Sequence, residues 1–180
     1  MTSRLKFSFA AATTVLAMLC AIFVTACATR PATGKAPDFR LKTFDGQKYV
    51  SLKDIRKDPT KKGKTRVLLI DFWATWCPYC IDAMPDLQRL QEKFEKKGFT
   101  VVGIAVESEA EKIKELIKNK NLTYLMLIDS QGKCSRNYKV RGLPTSYLID
   151  KEGNIVAVHE GYSESFAQTL EKEISELLKK

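Results

Sequence analysis

The run Arg66-Val67-Leu68-Leu69-Ile70-Asp71-Phe72-Trp73 constrains the fold of this chain more than any other segment. Apolar residues stand at both odd and even positions, so an extended strand here has no face to offer water and must lie mid-sheet, covered on both sides. Amphipathic helices have to supply the covers. Directly downstream come Trp76-Cys77-Pro78-Tyr79-Cys80 and then Ile81, Met84, Leu87, Leu90 and Phe94, spaced for one side of a helix from about Cys80 to Lys97. Pro85 falls within the first turns of that helix and is expected to kink it.

The remaining chain alternates between strand and helix patterns. Phe39 to Leu52 surrounds the turn signal Asp45-Gly46 and reads as a β-hairpin ahead of the core. Phe99 to Val106 is a second buried strand, Ala110, Ile113, Leu116 and Ile117 mark an amphipathic helix, and Tyr124 to Asp129 is a third strand. Gly132 to Tyr138 suits a short helix. Ser146 to Ile149 and Ile155 to Glu160 flank the turn Lys151-Glu152-Gly153-Asn154, and Phe166, Leu170, Ile174, Leu177 and Leu178 place a last helix over the sheet. Alternation followed by an antiparallel pair implies an α/β fold, a mixed β-sheet flanked by helices on both faces with an N-terminal β-hairpin extension.

Two thiols separated by two residues, at the end of a strand and the start of a helix, can close and open a disulfide. The attacking species in thiol exchange is the thiolate, and a cysteine at a helix N-terminus has its anion stabilised by unpaired N–H groups and the helix dipole. Cys77 should therefore ionise readily, while Cys80, one turn further in, is placed to attack a mixed disulfide on Cys77 and release the substrate. Half of a four-cysteine zinc site would need two more ligands, and the remaining Cys and His stand singly. No metal site and no cofactor are assigned. Cys134 reads as an inert packing residue and His159 as a structural one.

Residues 1–26 carry Arg4 and Lys6, no acid, and an apolar run from Phe7 to Ala26, the pattern of a secretion signal. Val24-Thr25-Ala26-Cys27 resembles a bacterial lipobox, which makes Cys27 the expected lipidation site. Residues 27–37 then form a lipidated tether and 38–180 the folded domain, of a length suited to one core. Cys20 leaves with the signal. The expected location is extracytoplasmic, lipid-anchored to a bacterial membrane, where disulfides persist. The net charge is +9, or +7 once Arg4 and Lys6 are removed. Its clusters Arg56-Lys57, Lys61-Lys62 and Lys64 lack interleaved aromatics, so they read as a solvated basic loop near anionic lipid and nucleic acid is not an expected partner.

Asp71-Phe72-Trp73-Ala74-Thr75-Trp76-Cys77-Pro78-Tyr79-Cys80, Pro85 and Gly142-Leu143-Pro144-Thr145 resemble the thioredoxin superfamily, and within it the exported TlpA/ResA-like thiol-disulfide oxidoreductases. The likeness runs from about Ala36 to the C-terminus. It implies a thioredoxin-like fold in which Cys77 attacks substrate disulfides, Cys80 resolves, and Asp71 accepts the Cys80 proton. Independently of the resemblance, a carboxylate in so apolar a strand must either reach water or have its pKa raised.

By the same resemblance Pro144 is a cis proline facing the disulfide, Leu143 presents backbone to an extended peptide, and Trp76, Pro78 and Tyr79 rim the exposed sulfur, while Trp73 belongs to the core. The implied partners are protein thiols and disulfides and a membrane thiol protein that donates electrons, with a monomer expected. Many ResA-like members have an acid three residues after the second cysteine, where Ala83 stands here beside Asp82. Reduction of extracytoplasmic proteins, cytochrome c maturation included, is the expected direction, with a disulfide-forming oxidase or a Cu(I)-handling lipoprotein as alternatives. A peroxiredoxin-type Pro-x-x-x-Thr-x-x-Cys loop is not matched, because Ile70 and Ala74 hold its positions.

Overall fold

The computed structural model describes residues 34–59, 65–107 and 109–180. The signal, Cys27 and most of the tether lie outside the described residues, as do Lys61, Lys62 and Lys64. Seven strands form one sheet: β1 (Arg40–Thr43), β2 (Tyr49–Ser51), β3 (Val67–Trp73), β4 (Phe99–Ala105), β5 (Leu125–Ile128), β6 (Thr145–Ile149) and β7 (Ile155–Glu160). Their order is β2-β1-β5-β4-β3-β6-β7. β3, β4 and β5 run parallel, β6 and β7 add antiparallel on one side, and the β1–β2 hairpin pairs antiparallel with β5 on the other.

The helices are α1 (Leu52–Arg56), α2 (Pro78–Phe94), α3 (Ala110–Asn119), α4 (Lys133–Asn137) and α5 (Phe166–Lys179). All seven residues of β3 are buried, as its two-sided apolar pattern requires. Val67, Leu69 and Trp73 pack with Met84, Leu87 and Leu90 of α2, Ile113 of α3 and Leu170 and Ile174 of α5. Leu68, Ile70 and Phe72 pack on the other face with Leu52 and Ile55 of α1 and with Phe39, Cys134, Tyr138 and Tyr147. Each fully buried Leu or Ile contributes about 1.5–3 kcal/mol relative to exposure, so the two clusters fix β3 at the centre of the sheet.

Asp71 belongs to the α2 and α5 side of this sheet, between Leu69 and Trp73. Its register neighbours form a transverse row: Met126 of β5, Gly103 of β4, Asp71 of β3, Ser146 of β6 and His159 of β7. Directly opposed residues in neighbouring strands project to the same face. Gly103 is required in this row, because a Cβ there would collide with Met126 Sδ and stand 3.0 Å from Trp73 Nε1.

Two local expectations need correction. The helix expected from about Cys80 begins at Pro78, because Cys77 serves as its N-cap and proline at the first helical position needs no N–H partner. It ends at Phe94 in a 3-10 turn, Glu95–Lys97, closed by Gly98 at φ 95°. Pro85 removes one bond, to the Ile81 carbonyl, yet the helix runs unbroken through it. Arg56, read as part of a solvated basic loop, instead ends α1 and donates from Nη2 to the Lys151 carbonyl at 2.7 Å. Its guanidinium occupies the space beside Gly153, where a Cβ would lie 2.7 Å from Cζ.

Gly103→Val is expected to lower stability by about 1–3 kcal/mol through overpacking, read as a reduced urea midpoint. A midpoint equal to that of the parent would show that Met126 and Trp73 can yield.

Candidate active site

The turn between β3 and α2 is built by three restraints. Val106 N–H donates to the Trp73 carbonyl at 3.0 Å, continuing the β3–β4 pairing, and Cys77 N–H donates to the Ala74 carbonyl at 3.2 Å, closing a turn over Thr75 and Trp76. Glu107, just beyond β4, then grips Thr75 twice: the Thr75 N–H donates to Oε1 at 2.5 Å and its hydroxyl to Oε2 at 3.0 Å. Hydrogen bonds to an ionised acceptor are worth about 1.5–3 kcal/mol each, so this carboxylate is the principal tie on the loop that delivers Cys77. No sequence motif singles out Glu107, which lies 32 residues from Thr75. The one available signal is an acid closing an otherwise apolar strand on the edge that carries the cysteines.

Cys77 and Cys80 are joined as a disulfide with their Cα atoms 5.3 Å apart, well inside the range such a bond spans. Cys77 retains 5 % exposure and Cys80 none. The sulfur of Cys77 accepts the Cys80 N–H at 3.3 Å in the N-cap position of α2. When the bond is open, that N–H and the helix dipole act on the Cys77 sulfur and favour its thiolate. Trp76 and Tyr79 flank it at 68 % and 64 % exposure, large apolar rings left in solvent on either side of the reactive position. Pro78 is exposed with them at the first position of α2.

The Leu143–Pro144 peptide bond is cis. Leu143 is half-buried against both core clusters, and Pro144 leads directly into β6, the strand next to β3. A cis bond before proline is uncommon in folded chains. The Thr145 hydroxyl ties the same turn by donating to the Gly142 carbonyl at 2.7 Å.

Beneath the helix, Asp71 is 2 % exposed and accepts a hydrogen bond from the Ser146 hydroxyl at 2.6 Å. Burial raises its pKa to about 7, against the lowering effect of that single hydrogen bond. Of the two outcomes open to an acid in this strand, the structure selects the raised pKa. Such a carboxyl can take up and release a proton near neutrality. Trp73 is core, at 1 % exposure, and its indole Nε1 is buried without a partner.

Cys134 is buried on the opposite face, where desolvation and the nearby Asp129 push its thiol up to about 12, so it remains a protonated packing group. His159 is 3 % exposed, and its Nε2 lies 2.8 Å from Glu173 Oε2. The structure therefore brings Cys77, Cys80, Trp76, Pro78 and Tyr79 together at the start of α2 and sets Asp71 on the sheet face that α2 covers. Glu107, Ser146 and the His159–Glu173 pair are additions that sequence patterns do not disclose.

A family profile described as the AhpC/TSA family matches residues 32–158. The thioredoxin-like protein YneN of Bacillus subtilis is 36% identical over 130 residues, covering 71% of this chain and 70% of the relative. A thiol-disulfide oxidoreductase ResA of Bacillus thuringiensis is 31% identical over 146 residues, 81% of this chain and 76% of the relative. Among solved structures, a thiol:disulfide interchange protein of the thioredoxin family from Chlorobium tepidum superposes with a TM-score of 0.68 at 28% identity, covering 83% of this chain and 97% of that one.

Folding raises the Asp71 pKa above its unfolded value, so between about 4 and about 7 the folded state holds a proton that the unfolded state has lost, and stability falls as pH rises through that window. Asp71→Asn is expected to exceed the parent in stability by a few kcal/mol at pH about 8 and to match it below about 4. A constant difference at every pH, measured by denaturant unfolding of the oxidised protein, would contradict the raised value. Glu107→Ala is expected to speed amide exchange at Thr75 and Cys77 by about tenfold or more while leaving β3 protected, the loop having lost its tie.

Proposed function

Belonging to the AhpC/TSA family and acting as a thiol-disulfide oxidoreductase, the chain meets its substrates, we propose, outside the cytoplasm, lipid-anchored through Cys27, and reduces their disulfides. Cys77 attacks as the thiolate, a mixed disulfide forms, and the first substrate thiolate departs. Cys80 then gives its proton to Asp71 and attacks the Cys77 sulfur, which frees the second substrate thiolate and leaves Cys77 joined to Cys80. Two electrons pass to the substrate, and a membrane thiol protein returns them by reducing the closed pair.

The observation that carries this reading is the Cys77 sulfur at the N-cap of α2, accepting the Cys80 N–H, on the sheet face that holds a buried carboxyl titrating near 7. A base for the resolving thiol serves the step in which Cys80 displaces the substrate, and that step completes a reduction. The exposed Trp76 and Tyr79 provide apolar contact on both sides of the sulfur, and the cis turn at Leu143–Pro144 offers backbone to an extended peptide. Relatives named thiol-disulfide oxidoreductases support thiol exchange through this pair. Cytochrome c maturation is one setting for it. Peroxidase chemistry has no counterpart here for the threonine and proline of a peroxidatic loop, Ala74 and Ile70 standing in their places.

Cys77→Ser is expected to abolish insulin reduction, and Cys80→Ser to accumulate mixed disulfides with substrate proteins in cells. Captured proteins that carry reduced partners-to-be, awaiting oxidation, would reverse the proposed direction. Undiminished insulin reduction by Cys77→Ser would reject the assignment of the nucleophile.

A further inference from the structure

A proton that enters or leaves Asp71 has to pass between hydrogen-bonding groups, because the side chain is enclosed and an apolar wall offers a charge no foothold. Along its transverse row the two directions differ. Toward β4 and β5 stand Gly103, without a side chain, and Met126, whose sulfur fills the space that glycine leaves. Toward β6 and β7 every position is polar: the Ser146 hydroxyl donates to Asp71 at 2.6 Å, and His159 stands directly opposite Ser146 on the same face. His159 Nε2 meets Glu173 at 2.8 Å, and the Glu173 side chain is 26 % exposed. Ser146 and His159 are 1 % and 3 % exposed, so the positions between the buried carboxyl and the partly exposed Glu173 are enclosed polar groups.

We infer that Asp71, Ser146, His159 and Glu173 form the path by which the Cys80 proton leaves the site during reduction and returns during recharging. The inference rests on Cys80 as the resolving thiol. A carboxylate partner at Nε2 selects the tautomer with the hydrogen on that nitrogen, which leaves Nδ1 as the acceptor of the neutral ring. While Asp71 is ionised, the Ser146 hydrogen is committed to it. Once Asp71 takes the Cys80 proton, the carboxyl becomes the donor, Ser146 Oγ the acceptor, and the serine hydrogen is released to turn toward His159.

Opposed side chains in adjacent antiparallel strands stand roughly 4.5–5.5 Å apart at Cβ, a span that a rotating hydroxyl or one water crosses. Transfer to Nδ1 gives an imidazolium paired with Glu173, and loss of the Nε2 proton to Glu173 and then water restores the starting charges. One proton enters the row at Asp71 and one leaves at Glu173. Among the described residues Tyr124, from the segment before β5, is coupled electrostatically to Asp71, and Cys80 of α2 belongs to the core cluster on the same sheet face. Glu173 from α5 faces His159 beside the Phe166 ring.

The test uses the full-length chain with Cys20→Ser and Cys27→Ser, reduced and mixed with equimolar dithiobis(nitrobenzoate). The first thionitrobenzoate released reports attack by Cys77, and the second reports closure by Cys80. Ser146→Ala and His159→Gln are expected to slow the second phase by about tenfold or more at pH about 6, where Asp71 must release a proton before it can take one from Cys80, leaving the first phase within about twofold. Ser146→Thr, which keeps the hydroxyl, is expected to recover that rate. Slowing by Ser146→Ala with His159→Gln at the parent rate would assign Ser146 to tuning Asp71 alone and overturn the path. So would rates equal to the parent in both variants, a parallel fall of both phases, or slowing confined to Tyr124→Phe. A parent that shows no first phase would remove the oxidoreductase reading and this one with it.

Discussion

Strand β3 exposes none of its seven residues, and that two-sided burial organises the molecule around it. A strand that cannot face water needs neighbours on both edges and helices on both faces. β4 and β6 supply the edges, α2 and α5 cover one face, and α1 with the Tyr138 and Tyr147 rings covers the other. The reactive cysteines follow because α2 starts at the C-terminal end of this strand. A loop of four residues connects the two, so Cys77 arrives at the helix N-terminus with little freedom left.

Opposite electrostatic regimes meet within a few residues. At Cys77 the helix N-terminus offers unpaired N–H groups, one of them already on the sulfur, and negative charge is favoured. At Asp71 the surroundings withhold solvent, and a single hydroxyl compensates for it, so negative charge is disfavoured. Thiol exchange needs both conditions, an anion ready to attack and a base that releases its proton near neutrality. The interior around Asp71 satisfies the second because Gly103, Met126 and Trp73 pack tightly on one side of it.

Much of this was legible beforehand, since the determining signals are local. The two-sided apolar run predicts a central strand, the helical spacing of Met84, Leu87 and Leu90 predicts α2, and two cysteines at that junction predict an exchangeable disulfide. The cis bond at Pro144 followed from resemblance and was found. Errors came where long-range contacts decide. Arg56 sits in a basic run and reads as solvated, but Gly153, 97 positions on in the chain, leaves it a niche under the β6–β7 turn. His159, read as structural from its place in an alternating strand, is buried, and the partner that sequence does not disclose is Glu173 of α5.

The order of residues by itself determined which segments are buried, that a helix follows β3 and which two thiols can pair, because periodicity and a spacing of two residues are properties of adjacent positions. Only the packed sheet decided that Asp71 is enclosed rather than solvated, that Glu107 holds the loop from the neighbouring strand, and that Ser146 and His159 line up beside the acid. Those outcomes depend on strand order and register, which no local pattern specifies and which assembly of the whole core selects.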